Sequence, residues 1–310
     1  MSQPSSSEFE ARVAPHRGEL HAYCYRMLGS LQDAEDALQE ALLDAWRGLD
    51  SFEGRSSLRS WLYRIATNAC LQLIAQRKTR LLATEYSRAT VGVELAPIVD
   101  EPIWLEPYPA RSDASYEQLE SVELAFVAAL QHLPGTQRAV LILREVLGFE
   151  AAEVAELVGS SVPAVNSALQ RARQAVNERV PKRSQQATLR ELSDAKQREL
   201  VAAYVDAWAR ADANALVSLL CRDARFSMPP IPSWFEGRDA VLRFFAERVF
   251  AAPWRLVPLR ASGQLAFACY QGPEFRLGAL NVLTLEGGSI RELTGFLDPK
   301  VHAHFLLPER

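Results

Sequence analysis

The stretch from Phe149 to Arg173 constrains this chain more than any other. Val154, Leu157 and Val158 recur at helical spacing, and Gly159-Ser160-Ser161 then breaks the period. Pro163 sits where a second helix would begin, a place that tolerates its fixed φ and missing N–H. This is the outline of a helix-turn-helix. On the second helix Val165, Leu169, Ala172 and Val176 form an apolar stripe, while Asn166, Ser167, Gln170, Arg171 and Gln174 point the other way. Amides and guanidinium groups pair with base edges and hydroxyls hold phosphates, so this face suits DNA. An ordinary amphipathic hairpin with a solvated face has the same pattern, and the stretch alone leaves both open.

The whole chain bounds that reading. Its 310 residues, 48% of them hydrophobic, suffice for two or three domains, each with its own core. No apolar run approaches the roughly twenty residues that span a bilayer. The start MSQPSSSEFE lacks the basic flank and apolar core of a signal peptide, so a cytoplasmic protein without membrane contact is expected. Cys24, Cys70, Cys221 and Cys269 lie far apart and form no CxxC pair. Neither a disulfide framework nor a metal site is suggested, and no cofactor is implied. The net charge of −4 argues against a free-standing, electrostatically driven nucleic-acid binder. If the helix-turn-helix reads DNA, something else supplies part of the grip.

In chain order, Val13, Leu20, Tyr23, Met27 and Leu28 predict a helix over residues 9–28, ended by Gly29-Ser30. A second helix, over 31–49, buries Ala34, Leu38, Ala41, Leu42, Ala45 and Leu49 and turns Asp36, Gln39, Glu40 and Leu43 outward. Carboxylates repel phosphates and an exposed leucine can fill a pocket, so this face suits a protein partner. Read alone, a solvated face is the plainer account. A polar loop over 51–56 leads to a helix over 57–76, capped by Ser56 or Ser57. Leu58, Leu62, Ile65, Ala66 and Ala69 face inward; Ser60, Tyr63, Arg64, Thr67, Asn68 and Leu71 face outward, ahead of the basic run Arg77-Lys78-Thr79-Arg80. Aromatic, amide and basic groups on one face offer stacking for bases and charge for phosphates, which single-stranded DNA needs. Trp61 and Tyr63 also read as plain core residues.

The succession Tyr25-Arg26-Met27-Leu28-Gly29-Ser30, Asp33-Ala34-Glu35-Asp36-Ala37-Leu38-Gln39-Glu40, Ser60-Trp61-Leu62-Tyr63-Arg64-Ile65-Ala66-Thr67-Asn68 and the helix-turn-helix resembles a bacterial extracytoplasmic-function (ECF) sigma factor. The combination is far more specific than any part of it. The resemblance implies that the acidic helix docks on the clamp helices of the RNA polymerase β′ subunit through Asp36, Gln39, Glu40 and Leu43, with the β subunit also a partner. It implies that the next loop and helix melt and read the minus-ten element, through Phe52, Ser56, Ser60, Arg64, Thr67 and Asn68. The helix-turn-helix then reads the minus-thirty-five element through Asn166, Ser167, Gln170, Arg171 and Arg173. Core RNA polymerase and promoter DNA are the implied partners, and affinity supplied by the polymerase explains how an acidic chain works on DNA.

From 79 to 116 periodicity fails and Pro97, Pro102, Pro107 and Pro109 mark a linker. Within it, Trp104 and Tyr108 are costly to leave in water, so the segment is expected to dock, either on the C-terminal part or on polymerase. The run Trp104-Leu105-Glu106-Pro107 is similar to the Trp-Leu-Pro-Glu-Pro signature of sigma factors with an extra C-terminal domain, although the proline between Leu105 and Glu106 is absent. These four residues are candidates for interdomain regulation. Helical positions resume with Leu119, Val122, Leu124, Phe126, Val127 and Leu130, and Leu133-Pro134-Gly135-Thr136-Gln137-Arg138 resembles the family's lead-in to its helix-turn-helix.

Beyond Val180 the pattern predicts a helix over 195–220, a strand over 223–228, a turn over 234–238, a helix over 239–250 and strands over 257–261, 264–270, 278–286 and 290–296. This order resembles a SnoaL-like domain, a curved sheet around a helix forming a cone-shaped pocket able to hold a small ligand. Such domains include cyclases and isomerases with a pocket Asp and His, and binding modules without chemistry. Tyr204, Asp206, Asp223, Asp298, His302 and His304 are the polar candidates. No spacing brings any two together, and the histidines are expected at the surface, so a regulatory domain fits better than an enzyme. Asp298-Pro299-Lys300 is similar to a short Asn-Pro-Asp-Lys-type motif of such domains, which makes Asp298 a further candidate for the interdomain contact.

The expected architecture is therefore multidomain. Two all-α sigma-factor domains, over 1–80 and 115–184, are joined by a Pro-rich linker over 81–114 and followed by an α+β SnoaL-like cone-shaped domain over 195–310. The expected role is transcription initiation at specific promoters, tuned by the C-terminal domain. A small-molecule isomerase or cyclase fused to a DNA-binding module, and a repressor that binds duplex DNA alone, are the alternatives.

Overall fold

The computed structural model describes residues 6–52, 54, 56–110, 116–305 and 307. The chain opens with α1 (Ser6–Leu28), α2 (Leu31–Gly48) and α3 (Leu58–Gln76). A largely irregular stretch carries α4 (Ala83–Tyr86) and α5 (Tyr116–Glu120), and α6 (Leu124–Gln131), α7 (Gly135–Leu141), α8 (Ala151–Leu157) and α9 (Val162–Asn177) follow. Then come α10 (Gln185–Glu191), α11 (Asp194–Ala209), α12 (Ala213–Ser218), β1 (Leu220–Met228), β2 (Ile231–Glu236) and α13 (Arg238–Glu247). The last elements are β3 (Trp254–Ala261), β4 (Gln264–Gln271), β5 (Arg276–Glu286), β6 (Ser289–Phe296) and α14 (Pro299–Ala303). They form two compact units, Met1–Arg80 with Leu124–Pro181, and Leu81–Glu123 with Lys182–Arg310. No described helix is long and apolar enough to cross a membrane.

The helical unit is organised around α3, which packs on α1 and α2 with one side and on α7 and α8 with the other. Ser30 caps α2, its Oγ accepting the Asp33 N–H at 3.3 Å. The Asp33 carboxylate is 3% exposed and is ion-paired with Arg80, itself 4% exposed, and with Arg77. Arg77 also reaches Asp36 at 3.4 Å. The two arginines expected to trail from α3 toward DNA are thus turned back, because a carboxylate leaves water only with a counter-charge. Arg138 of α7 is buried as well and donates to the main-chain carbonyls of Met27, Gln131 and Leu133, which closes the ends of α1 and α6. Between α8 and α9, Gly159 takes a φ of +62° that favours glycine, and the next N–H, of Ser160, returns to Ala155 O at 2.8 Å.

The second unit is a six-stranded sheet ordered β2-β1-β6-β5-β4-β3, with β1 parallel to β6 and all other neighbours antiparallel. The helix expected over 195–220 is two helices. The chain breaks at Ala211, φ +51°, and Asp212 caps α12 by accepting the Ala215 N–H at 2.9 Å. The turn expected over 234–238 is instead the end of strand β2, whose Trp234 and Phe235 are buried. Buried Tyr204 and Trp208 of α11 and Phe244 and Phe245 of α13 meet Phe226, Phe235 and Phe267 of the sheet, with ring centroids 4.2 to 6.4 Å apart along this chain of contacts. Side chains fill the concave face.

A buried carboxylate closes this unit at its base. Glu123 accepts the N–H groups of Gln185 and Gln186 at the start of α10, both at 2.9 Å. The Gln185 amide pairs with the N–H and C=O of Leu285 on β5, like one more strand residue. Burial pushes the Glu123 carboxyl up to about 7, against the lowering effect of the two N–H bonds. The fold holds this proton between the unfolded value of about 4.5 and about 7, where the unfolded chain has released it. Stability is therefore expected to fall as pH rises through that window, by about 3 kcal/mol in all. Urea unfolding at pH 5 and pH 8 checks this, with Glu123→Gln expected to flatten the dependence.

Candidate nucleic-acid interface

On the outer side of α2, Gln39, Glu40 and Leu43 are exposed, and Leu43 retains 43% of its surface. Asp36 is half-buried and accepts from Gln32 at 2.9 Å and from Arg77. Leu38, Leu42 and Leu43 line a groove of about 570 Å³ between α1 and α2, with Phe9 across it and Glu35 at its edge. The floor is apolar and the rim carries Glu35 and the Glu10–Arg17 ion pair, so the groove can seat an amphipathic protein segment.

The candidate minus-ten residues divide. Arg64 and Asn68 are exposed on α3, and Ser56 is exposed at the end of the loop. Phe52 stacks at 4.9 Å on Trp61, which is buried. Ser60 is largely buried and shares a hydroxyl contact of 2.8 Å with the cap residue Ser57. Thr67 is a correction. It is fully buried rather than facing outward, its hydroxyl donating to Tyr63 O at 2.6 Å and meeting the Tyr23 hydroxyl of α1 at 2.7 Å, so in this structure it holds α3 against α1. Tyr63 is fully buried too, edge-on to Tyr23 and Phe149. The reason is that α3 is covered on more than one side: Tyr23 of α1 covers Thr67 and Tyr63, and Phe149 meets the Tyr63 ring. Within the 52–56 loop, Glu53 and Arg55 lie outside the described residues.

Arg59 went unnoticed in the sequence. Its guanidinium lies 4.5 Å from the Phe149 ring and 5.1 Å from that of Tyr63, and it pairs with Glu19 at 3.2 Å. Beside it, Ser56, Ser60, Trp61 and Arg64 share a groove of about 190 Å³ with Glu153 and Glu156 of α8. The surface expected to read DNA therefore faces carboxylates of the helix-turn-helix.

α9 matches its expected pattern closely. Val165, Leu169, Ala172 and Val176 are buried, and Asn166, Ser167, Gln170 and Arg171 are exposed without a polar partner among the described residues. Ser161 caps the helix, its Oγ accepting the Ala164 N–H at 3.4 Å. Arg173 is exposed but pairs with Glu145 at 2.5 Å.

Against known families, residues 13–80 match Sigma-70 region 2, residues 123–176 match Sigma-70 region 4, and residues 201–293 match the SnoaL-like domain. The ECF RNA polymerase sigma factor SigG of Mycobacterium tuberculosis is 40% identical over 315 residues, covering 97% of this chain and 84% of that one. The chain belongs to the ECF RNA polymerase sigma factors. SigJ of the same organism is 29% identical over 244 residues, 77% of this chain and 71% of SigJ. The crystal structure of M. tuberculosis SigJ has the same fold, with a TM-score of 0.59, 23% identity and coverage of 98% of this chain and all of that one. This sigma factor is accordingly a transcription initiation factor.

In the sigma factor's C-terminal unit the linker is not loose. Leu81 bridges Trp104, and Trp104 is buried with Ala83, Ile103 and Trp234 of β2. Trp234 Nε1 donates to Ser87 O at 2.9 Å, and Thr90 N donates to Trp234 O at 2.7 Å. Farther along, Tyr108 and Ser262 exchange bonds of 2.9 and 2.7 Å beside the end of β3. Leu105 and Pro107 are buried and Glu106 half-buried. The linker thus covers one edge of the sheet and the tip of the other, a common protection of open strands.

Asp298 does not join this contact. Its carboxylate accepts the Lys300 N–H at 2.9 Å and caps α14. The candidate acid–base groups are held apart by separate partners. Tyr204 accepts from Asn281 at 2.9 Å, Asp206 pairs with Arg210 and Asp223 with Arg291. His302, expected at the surface, is buried against Phe296 O at 2.7 Å, and that burial lowers its pKa.

Proposed function

We propose that this sigma factor grips polymerase through Gln39, Glu40 and Leu43 on α2, with Asp36 at the edge of that surface. It touches the minus-ten strand through Phe52, Ser56, Arg64 and Asn68, with Ser60 at the groove wall. It reads the minus-thirty-five duplex through Asn166, Ser167, Gln170 and Arg171, with Arg173 freed from Glu145 to reach a phosphate. The observation that carries this reading is that Gln39, Glu40, Arg64 and Asn68, with Asn166, Ser167, Gln170 and Arg171 of α9, are exposed with no polar partner among the described residues. Exposed, unsatisfied groups of these types are what a partner would complete.

The two promoter elements lie about 25 base pairs apart, roughly 85 Å at 3.4 Å per pair. Arg64 shares a groove with α8, so promoter engagement requires regions 2 and 4 to separate. The segment that must span that separation is the linker, which is tied to the C-terminal sheet. The SnoaL-like domain therefore regulates opening by holding or releasing the linker. Rings fill the concave face, so a small ligand enters this scheme only by displacing them, and the reading rests on linker docking.

Glu40→Lys is expected to weaken binding of the full chain to core polymerase roughly tenfold, or about 1.4 kcal/mol, without changing its melting temperature. Titration of labelled chain with core polymerase measures this. An unchanged affinity would remove the docking assignment.

A further inference from the structure

α11 has a second face that the fold leaves at the surface. Leu200, Tyr204, Ala207 and Trp208 are buried toward the sheet. The row Asp194, Arg198, Ala202, Asp206 and Arg210, one residue per turn, is exposed at every position. Beside it Val201, Val205 and Ala209 floor an open groove of about 750 Å³, walled by Pro258 and Arg260 of β3 and Leu265 of β4.

Along the exposed row the charges run negative, positive, apolar, negative, positive, centred on Ala202. Such an order is self-complementary under a two-fold axis. An antiparallel second copy crossing at Ala202 brings Arg198 opposite Asp206 of that copy, and Asp194 opposite its Arg210, on both sides of the axis. Neither Asp194 nor Arg198 has an ion pair or hydrogen bond among the described residues, whereas Asp206 pairs with Arg210 at 2.6 Å within its own helix. Pairing within the helix is the competing account of the four-residue spacing. It leaves the first pair unmade and gives the apolar groove no occupant.

We infer that α11 is a homodimerisation helix, and that its occupant is the same face of a second copy of this chain. Rows four residues apart form the ridges that interdigitate when helices cross at about −50°, with axes 8–10 Å apart. Ala202 at the crossing point permits the close end of that range, and the groove beside the row receives the opposing ridge. The interface is isologous, so each ion pair and each apolar contact occurs twice. Arg260, whose one described hydrogen bond is to Gln197 at 3.2 Å, adds a cation at the groove edge. The inference stands on the C-terminal unit alone and does not depend on how the helical unit meets polymerase or DNA.

Sedimentation velocity of the full chain over a concentration series tests it, with circular dichroism confirming that each variant folds. The wild type is expected to show a reversible monomer–dimer equilibrium that weakens as salt rises from about 0.05 to 0.5 M, since exposed ion pairs are screened. Ala202→Arg is expected to raise the dimer Kd at least tenfold by blocking the crossing point. Asp206→Arg sets arginine against arginine and does the same. The double variant Arg198→Asp with Asp206→Arg reverses both charges across the axis and regains the dimer, although it destroys every opposite-charge i,i+4 pair in the row. A chain that stays monomeric throughout the series, a dimer indifferent to Ala202→Arg, or a double variant no better than Asp206→Arg would each overturn the inference.

Discussion

Asp33→Ala is expected to destabilise the region 2 bundle by about 3 kcal/mol, because it removes the carboxylate that pairs with the buried Arg80 guanidinium. Asp33 and Arg80 are 3% and 4% exposed, so water cannot replace the lost partner. Arg77, more than a third exposed, can turn to solvent and contributes little to the loss. Hydrogen exchange of the α2 and α3 amides reads this locally, which matters in a chain of two units whose unfolding need not be two-state. The double variant Asp33→Ala with Arg80→Met should recover part of the stability, since it removes the buried guanidinium together with the carboxylate that paired with it. Unchanged exchange in Asp33→Ala would show that the pair is not what holds the end of α3 against α2.

Trp104→Ala is expected to free the linker from the C-terminal sheet. The indole is 7% exposed, packs with Ala83, Ile103 and Trp234, and meets the Tyr86 ring edge-on at 5.2 Å. Removing a buried tryptophan costs about 3–5 kcal/mol. Spent on a local docking equilibrium, that raises the undocked population by two orders of magnitude or more. Arg88 lies exposed within the docked segment, so the initial rate of tryptic cleavage there reports the change, and transcription by the same variant shows what the released linker does. Cleavage at the wild-type rate would mean that the Ser87 hydroxyl bond to Pro232 O and the Thr90 N–H bond to Trp234 O hold the linker without the ring.

What the sequence disclosed follows from how local each signal is. The apolar stripe and polar face of α9 were legible because one helix lies on one surface, so period and burial coincide. Thr67 reads as an outer position of α3 yet is buried against Tyr23 of α1, because α3 is covered on more than one side and periodicity reports only one covered side. Arg77 and Arg80 resembled a basic tail because nothing in their neighbourhood marks Asp33 as buried. The docking of Trp104 was foreseeable from the cost of exposed aromatics. Its receptor, Trp234, was not, since that residue was read as part of a turn. Glu123, which joins the entry and exit of region 4, has no sequence mark at all: its partners are main-chain N–H groups 62 and 63 residues away.

Run-off transcription tests the central claim most directly. Core polymerase supplied with the full chain is expected to initiate from a defined subset of a genomic promoter library, and Arg171→Ala should reduce that output about 10- to 100-fold, the equivalent of 1–3 kcal/mol at a single base contact. Restoring output by altering bases within the minus-thirty-five element alone would place Arg171 at that element. No initiation from any promoter, or full output from Arg171→Ala on every promoter, would contradict the account.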